Sequence, residues 1–215
     1  MHPISYDLEY AMERNRLTVF FRLLLAIPWL IFAYLYTIVA YVAVLIAWFA
    51  MLFTTRYPQS LYDFVAGFVR FSGRLAGFVS LAVDPLPPFS GATRPDYPVQ
   101  IEIGPRQAQY SRAKTFFKLI LYFPQALIAY GAQLIVGAAA FVTWWRVLFT
   151  GRQSATMHDA LRLGLAYYLR STAFLLLLTE THPRLLDLPA QSYPPDAPTL
   201  PPPAPAAVAS TGQVA

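Results

Sequence analysis

Apolar side chains run almost without interruption from Leu17 to Thr54, and again over residues 115–150. As one straight helix the first run would be about 57 Å long at 1.5 Å per residue, nearly twice the roughly 30 Å hydrocarbon thickness of a bilayer. Pro28 is its one strong breaker, and the eleven residues before it are too few to span. The pattern predicts an interfacial helix over 16–27, a proline bend, and a spanning helix over 29–53. Two further apolar stretches, 61–83 and 157–179, are long enough to cross but carry Arg70 and Arg74 in one and Arg162 and Arg170 in the other. A centrally placed arginine costs about 2.5–3.5 kcal/mol on insertion scales. The wholly apolar "FVSLAV" and "FLLLLT" that follow favour crossing over re-entry.

The runs repeat each other. "FFRLLLAIP" ending at Pro28 returns as "FFKLILYFP" ending at Pro124, and residues 16–87 can be laid on 112–183 without a gap. Trp48, Arg56, Asp63, Arg74 and Pro87 then recur as Trp144, Arg152, Asp159, Arg170 and Pro183. Apolar composition aligns Leu with Leu, but it does not put Trp, Arg, Asp and Pro in register, so the chain carries an internal duplication. Before each unit, 4–10 ("ISYDLEY") and 97–103 ("YPVQIEI") alternate apolar and polar residues with a strand period of two. They read as two short strands, paired with each other, or as an irregular polar lead-in.

The sum is an all-α integral membrane fold of two tandem repeats. Each has a strand-like lead-in, an interfacial helix, a proline bend and two transmembrane helices, giving four crossings. The units span 1–92 and 93–186. The remaining 187–215, rich in Pro and Ala, is expected to be disordered or polyproline-like. With two crossings per unit, both repeats should point the same way. Arg14, Arg16, Arg94, Arg106, Arg112, Lys114 and Arg184 then share one side, which the positive-inside rule makes cytoplasmic, together with both termini.

"FFRLLLAIP", "LIAWFAMLFTTRYPQSLYDFVAGFVRFSGRLAGFVSL" and the closing "DPLPPF" resemble the DUF4389 module of bacterial membrane proteins, over about residues 4–186. The second unit keeps "FTGR" but has Gln153–Ser154 where the family has Tyr-Pro. The resemblance implies a bacterial inner-membrane protein and adds nothing on activity, because the family's function is unknown.

Composition agrees: 57% of the 215 residues are hydrophobic and 13% charged, against about 25% charged in soluble domains. Without cysteine, thiolate nucleophiles, disulfides and zinc–thiolate sites are excluded. A net charge of +5 in so apolar a chain fits anionic headgroups rather than nucleic acid. His2, His158 and His182 offer no ligand spacing, so no metal or cofactor is expected. No nucleophile, base or phosphate loop stands out either, which leaves no catalytic residue to name and makes an enzyme unexpected.

The repeated polar residues are the candidates. Arg22 and Lys118 would meet lipid or other anions at headgroup depth. Arg74 and Arg170 would either bind phosphate between helices or cross-link the units through backbone carbonyls or the acids Asp84 and Glu180. Asp63 and Asp159 would sit in first helical turns and pair with Arg56 and Arg152. Trp48, Trp144 and Trp145 would anchor at the interface. The leading functional reading is a non-enzymatic module that organises lipids or partners, itself a homo-oligomer or bound to another membrane protein. The alternative is a small oligomeric transporter or channel for an anionic solute.

Overall fold

A computed structural model describes residues 3–183 apart from Met12. The tail from 187 onward lies outside the described residues. The elements in chain order are β1 (Ile4–Leu8), α1 (Arg16–Thr54), α2 (Gln59–Val79), β2 (Val99–Ile103), α3 (Arg112–Phe116), α4 (Lys118–Thr150) and α5 (Ala155–Leu175). The structure is therefore mostly helical with a small strand pair. Among the described residues two helical stretches, Arg16–Thr54 and Ile120–Thr150, are long and apolar enough to cross a membrane.

The expected boundary at Pro28 does not form. Asn15 caps α1 by accepting from the amides of Leu17 and Thr18, and the helix then runs through Pro28 to an αL residue at Thr55. Pro124 likewise lies inside α4, and the break in the second repeat falls earlier, at Phe117. A proline removes one intrahelical bond. Ending a helix there would instead strand several amides and carbonyls amid apolar side chains, where each costs more than the bond lost. Continuing is the cheaper solution.

The alternating segments do form strands, and they pair with each other. β1 and β2 make an antiparallel ribbon in which Tyr6 faces Ile101 and Asp7 faces Gln100. Ile4, Tyr6, Leu8, Val99 and Ile101 are buried, while Ser5, Asp7, Glu9 and Glu102 are exposed. The buried side packs on α2 and α5, and Ile101 and Leu169 press against Gly73. On their other side α2 packs with α1 and α5 with α4. The order of layers is ribbon, then α2 and α5, then α1 and α4.

The two units do not point the same way. The start of α1 meets the end of α4: Arg14 N donates to Gly151 O, and Val19 packs with Val147. The end of α1 meets the start of the second unit: Tyr110 N donates to Thr55 O, and Trp48 Nε1 to Thr115 O at 2.9 Å. Hence α1 and α4 run antiparallel, and the expected same-direction repeats are corrected to inverted ones. Sequence equivalence between the units carries no information on direction. The ribbon's antiparallel pairing follows the same symmetry.

The repeats also differ in how tightly each hairpin closes. In the second, Gly164 lets α5 approach Ala132 and Val136 of α4. In the first, that position is Phe68, and Tyr36 stacks edge-on with Phe64 and Phe68. The wider gap admits the loop after α2, whose Phe89 stacks on Trp29 at 4.8 Å while Pro87 O accepts from Trp29 Nε1 at 2.6 Å.

Candidate functional site at the helix seams

The cation of the echoed stretch reaches the end of its neighbouring helix. Past Val79, α2 closes with Leu81 in the left-handed region at φ 64°, and α5 closes the same way at Leu177 with φ 66°. This turn leaves late carbonyls without helical partners, and such carbonyls favour a positive charge. Arg22 supplies it, donating to Phe78 O at 2.6 Å and Val83 O at 2.8 Å, with Asp84 Oδ1 at 2.6 Å from its other terminal nitrogen. Its guanidinium also lies 4.7 Å from the centre of the Phe78 ring.

Lys118 repeats the arrangement with a shorter head. It donates to Thr179 O at 2.9 Å and sits 3.5 Å from the centre of the Phe174 ring. Phe174, Thr179 and Glu180 are the second-repeat equivalents of Phe78, Val83 and Asp84. Glu180 pairs with Lys114 at 3.3 Å. Both cations are buried, Arg22 to 2% exposure, so neither lies open at headgroup depth as expected; each fastens the start of a long helix to the end of a packed one.

Sequence reasoning missed Arg14, which joins the first seam. Its Nε donates to Gln153 Oε1 at 3.0 Å, a terminal nitrogen donates to Ala82 O at 2.6 Å, and Asp84 is 3.7 Å away. Burial lowers its pKa, with Asp84 and Tyr10 acting in the opposite direction. The repeat alignment offers a signal for the seam acids: Asp84 and Glu180 are the same position, 62 residues after Arg22 and Lys118. The sequence offers these acids, or backbone carbonyls, as partners of Arg74 and Arg170.

Both Arg74 and Arg170 donate to backbone carbonyls, but Arg74 does so within its own repeat and only Arg170 links the two units. Arg74 donates to Ala92 O at 2.8 Å and Ser90 O at 3.3 Å, which ties α2 to the loop before β2. Burial pushes the Tyr97 phenol beside it upward, against the pull of Arg74. Arg170 Nε donates to Ile4 O at 3.2 Å and so fixes the second repeat's α5 to the first repeat's β1. Asp63 accepts from Gln59 at 2.9 Å rather than from Arg56, which is exposed. Asp159 lies 3.8 Å from Arg162, one turn on, and Arg152 bridges to Glu13 through backbone. Trp48 is drawn inward by its bond to Thr115 O, whereas Trp145 is exposed and stacks on Phe149. His158 is buried against Tyr10.

The features that recur between the units therefore build two equivalent seams. The model of a domain of unknown function, DUF4389, matches residues 16–91 and again 112–185. The chain belongs to the DUF4389 family. It is a tandem form with two copies of the module. The matched regions begin at the first residues of α1 and α3 and take in both seams apart from Arg14. No curated protein and no solved structure matches this DUF4389 protein.

Proposed function

We propose that this DUF4389 protein is a non-enzymatic membrane module lying in one leaflet, with α1 and α4 sunk in the apolar phase and the ribbon facing water, where it organises lipids or membrane partners. One observation carries the reading: apolar and acidic surfaces occupy opposite layers. Leu24, Ile31, Leu35, Ile38, Ile120, Leu127, Leu134 and Ile135 are all exposed on α1 and α4. Asp7, Glu9 and Glu102 are exposed on the ribbon.

The direction of the ribbon bears on orientation. Val99 lies against Gly77 near one end of α2, and Gly104 O accepts from Tyr62 near the other. Asp7 and Glu102 therefore lie alongside the middle of α2 and α5. If the four long helices crossed together, these carboxylates and an open two-stranded edge would sit in hydrocarbon, which is strongly unfavourable. Lying flat keeps them in water. It also sets Arg16, Arg56, Arg112, Lys114, Arg146 and Arg152, all exposed near the tips of the long helices, at the level of anionic headgroups. A bacterial inner membrane, as the family resemblance implies, supplies such lipids.

Transport of an anion is less favoured, because, of the intramembrane arginines offered for a pathway, Arg74 is spent on the carbonyls of Ser90 and Ala92 and Arg170 donates to Ile4 O.

Depth measurement tests the orientation. Single fluorophores at Leu24, Leu35 and Leu45, quenched by lipids brominated at known chain positions, should report one shallow depth. A graded profile along α1, deepest at Leu35, contradicts the flat orientation.

A further inference from the structure

The seams border two open cavities related by the repeat. One, of about 360 Å³, is lined by Arg22, Leu23, Val79, Leu81, Ala140 and Trp144 among others. The second, of about 310 Å³, is lined by Lys118, Leu175, Leu177, Val44, Leu45 and Trp48, with Tyr41 and Leu176. Shifting the first repeat by 96 residues turns Arg22, Val79 and Leu81 into Lys118, Leu175 and Leu177, and Val44, Leu45 and Trp48 into Ala140, Phe141 and Trp144. Each cavity thus takes its cation and helix end from one repeat and its tryptophan wall from the other. A single module could form neither.

Charge is unbalanced at both. Arg14 and Arg22 share the single carboxylate of Asp84, and Lys114 and Lys118 stand near the single carboxylate of Glu180. One positive charge is left over beside each cavity. Arg22 also keeps its Nε buried without a hydrogen-bond partner, a costly condition that an arriving acceptor would relieve. The rest of each lining is apolar, and both cavities adjoin the exposed apolar surfaces of α1 and α4.

We propose that each cavity receives one acyl chain of an anionic phospholipid from the surrounding leaflet, its phosphate drawn to the surplus cation. This rests on the lipid-embedded reading above. The charge surplus selects an anionic headgroup over a zwitterionic one, and the narrow apolar lining holds a single chain. The paired cavities make the protein a two-site lipid holder, which gives a physical content to organising lipids and a reason for the module to occur twice in one chain.

The test uses the full chain in nanodiscs of mixed phosphatidylcholine and phosphatidylglycerol, with retained lipids counted by native mass spectrometry. Two phosphatidylglycerol molecules should be retained, enriched about fivefold over their share of the bilayer for one cation each. Ala140→Phe and Val44→Phe should each remove one, and the double variant both. Lys118→Met, which keeps the volume, should abolish the headgroup preference at one site. Retention at the bilayer ratio, or unchanged retention in the double variant, overturns the proposal. Should the bulky variants fail to fold, a phosphatidylglycerol carrying a diazirine in its acyl chain decides on the native protein. Cross-links should fall on Leu45, Trp48, Phe141 and Trp144, and an even spread over the exposed faces of α1 and α4 overturns it. Vesicle flotation separates the two readings. Protein that does not float defeats the lipid-embedded reading, whereas protein that floats without lipid selectivity defeats this inference alone.

Discussion

Asp84→Asn should destabilise the protein by about 3 kcal/mol, measured by denaturant titration in mild detergent. Removing one partner of a buried ion pair leaves an uncompensated charge, at a cost of about 3–5 kcal/mol, and Asp84 serves two arginines at once, Arg22 at 2.6 Å and Arg14 at 3.7 Å. The figure sits at the lower end because the Asp84 side chain keeps 26% exposure. The second repeat provides an internal control. Glu180 pairs directly with Lys114, whose side chain is 58% exposed, a contact worth about 0–1 kcal/mol, and stands near the buried Lys118, whose own hydrogen bond goes to Thr179 O. Glu180→Gln should therefore cost less than Asp84→Asn, because the cation in direct contact with Glu180 is the exposed one. Equal losses at the two positions would show that the first seam is no more tightly held than the second.

Gly91→Ala should cost about 1–3 kcal/mol, the usual penalty for overpacking. A Cβ at Gly91 would come within 2.5 Å of the Gly67 backbone, which has no flexible tip to move aside. The loop carrying Phe89 would have to leave the gap between α1 and α2, and the stacking of Phe89 on Trp29 would go with it. Gly131 is the contrasting position: a Cβ there meets nothing within 4 Å. Gly131→Ala should stabilise by about 0.5–1 kcal/mol, because alanine loses less conformational freedom in a helix. The same titration reads both. A neutral Gly91→Ala would mean that the loop is not wedged against α2.

These two sites show how far the sequence alone reaches. The duplication was legible because Trp, Arg, Asp and Pro recur in register, and the ribbon because its period of two differs from the helical pattern around it. Both long apolar helices were legible from length and hydropathy. The direction of one repeat relative to the other was not. It is decided by contacts such as Trp48 with Thr115 O and Arg14 with Gly151 O, which lie 67 and 137 residues apart and have no local signature. The fate of Pro28 was misread for a related reason. A proline breaks a helix that water can solvate, but in apolar surroundings the stranded backbone groups outweigh the one lost bond. Arg22 and Lys118 were found as special positions, yet their partners were not, since an arginine ahead of a long apolar run looks the same whether it meets lipid phosphate or a helix end. Asp84 and Glu180 were legible as a repeated acid; only the fold brings them to the seam.

The flat orientation rests on Asp7 and Glu102 lying halfway between the two ends of the helical layers, and sidedness tests it most directly. The chain contains no cysteine, so single cysteines at Gln59, Thr93 and Thr156, all exposed, can be labelled with a membrane-impermeant maleimide in sealed, oriented vesicles. The account predicts that all three label from the same side. Gln59 and Thr156 lie at opposite ends of the antiparallel helices, so labelling of these two from opposite sides would mean that the long helices cross the bilayer, and would contradict it.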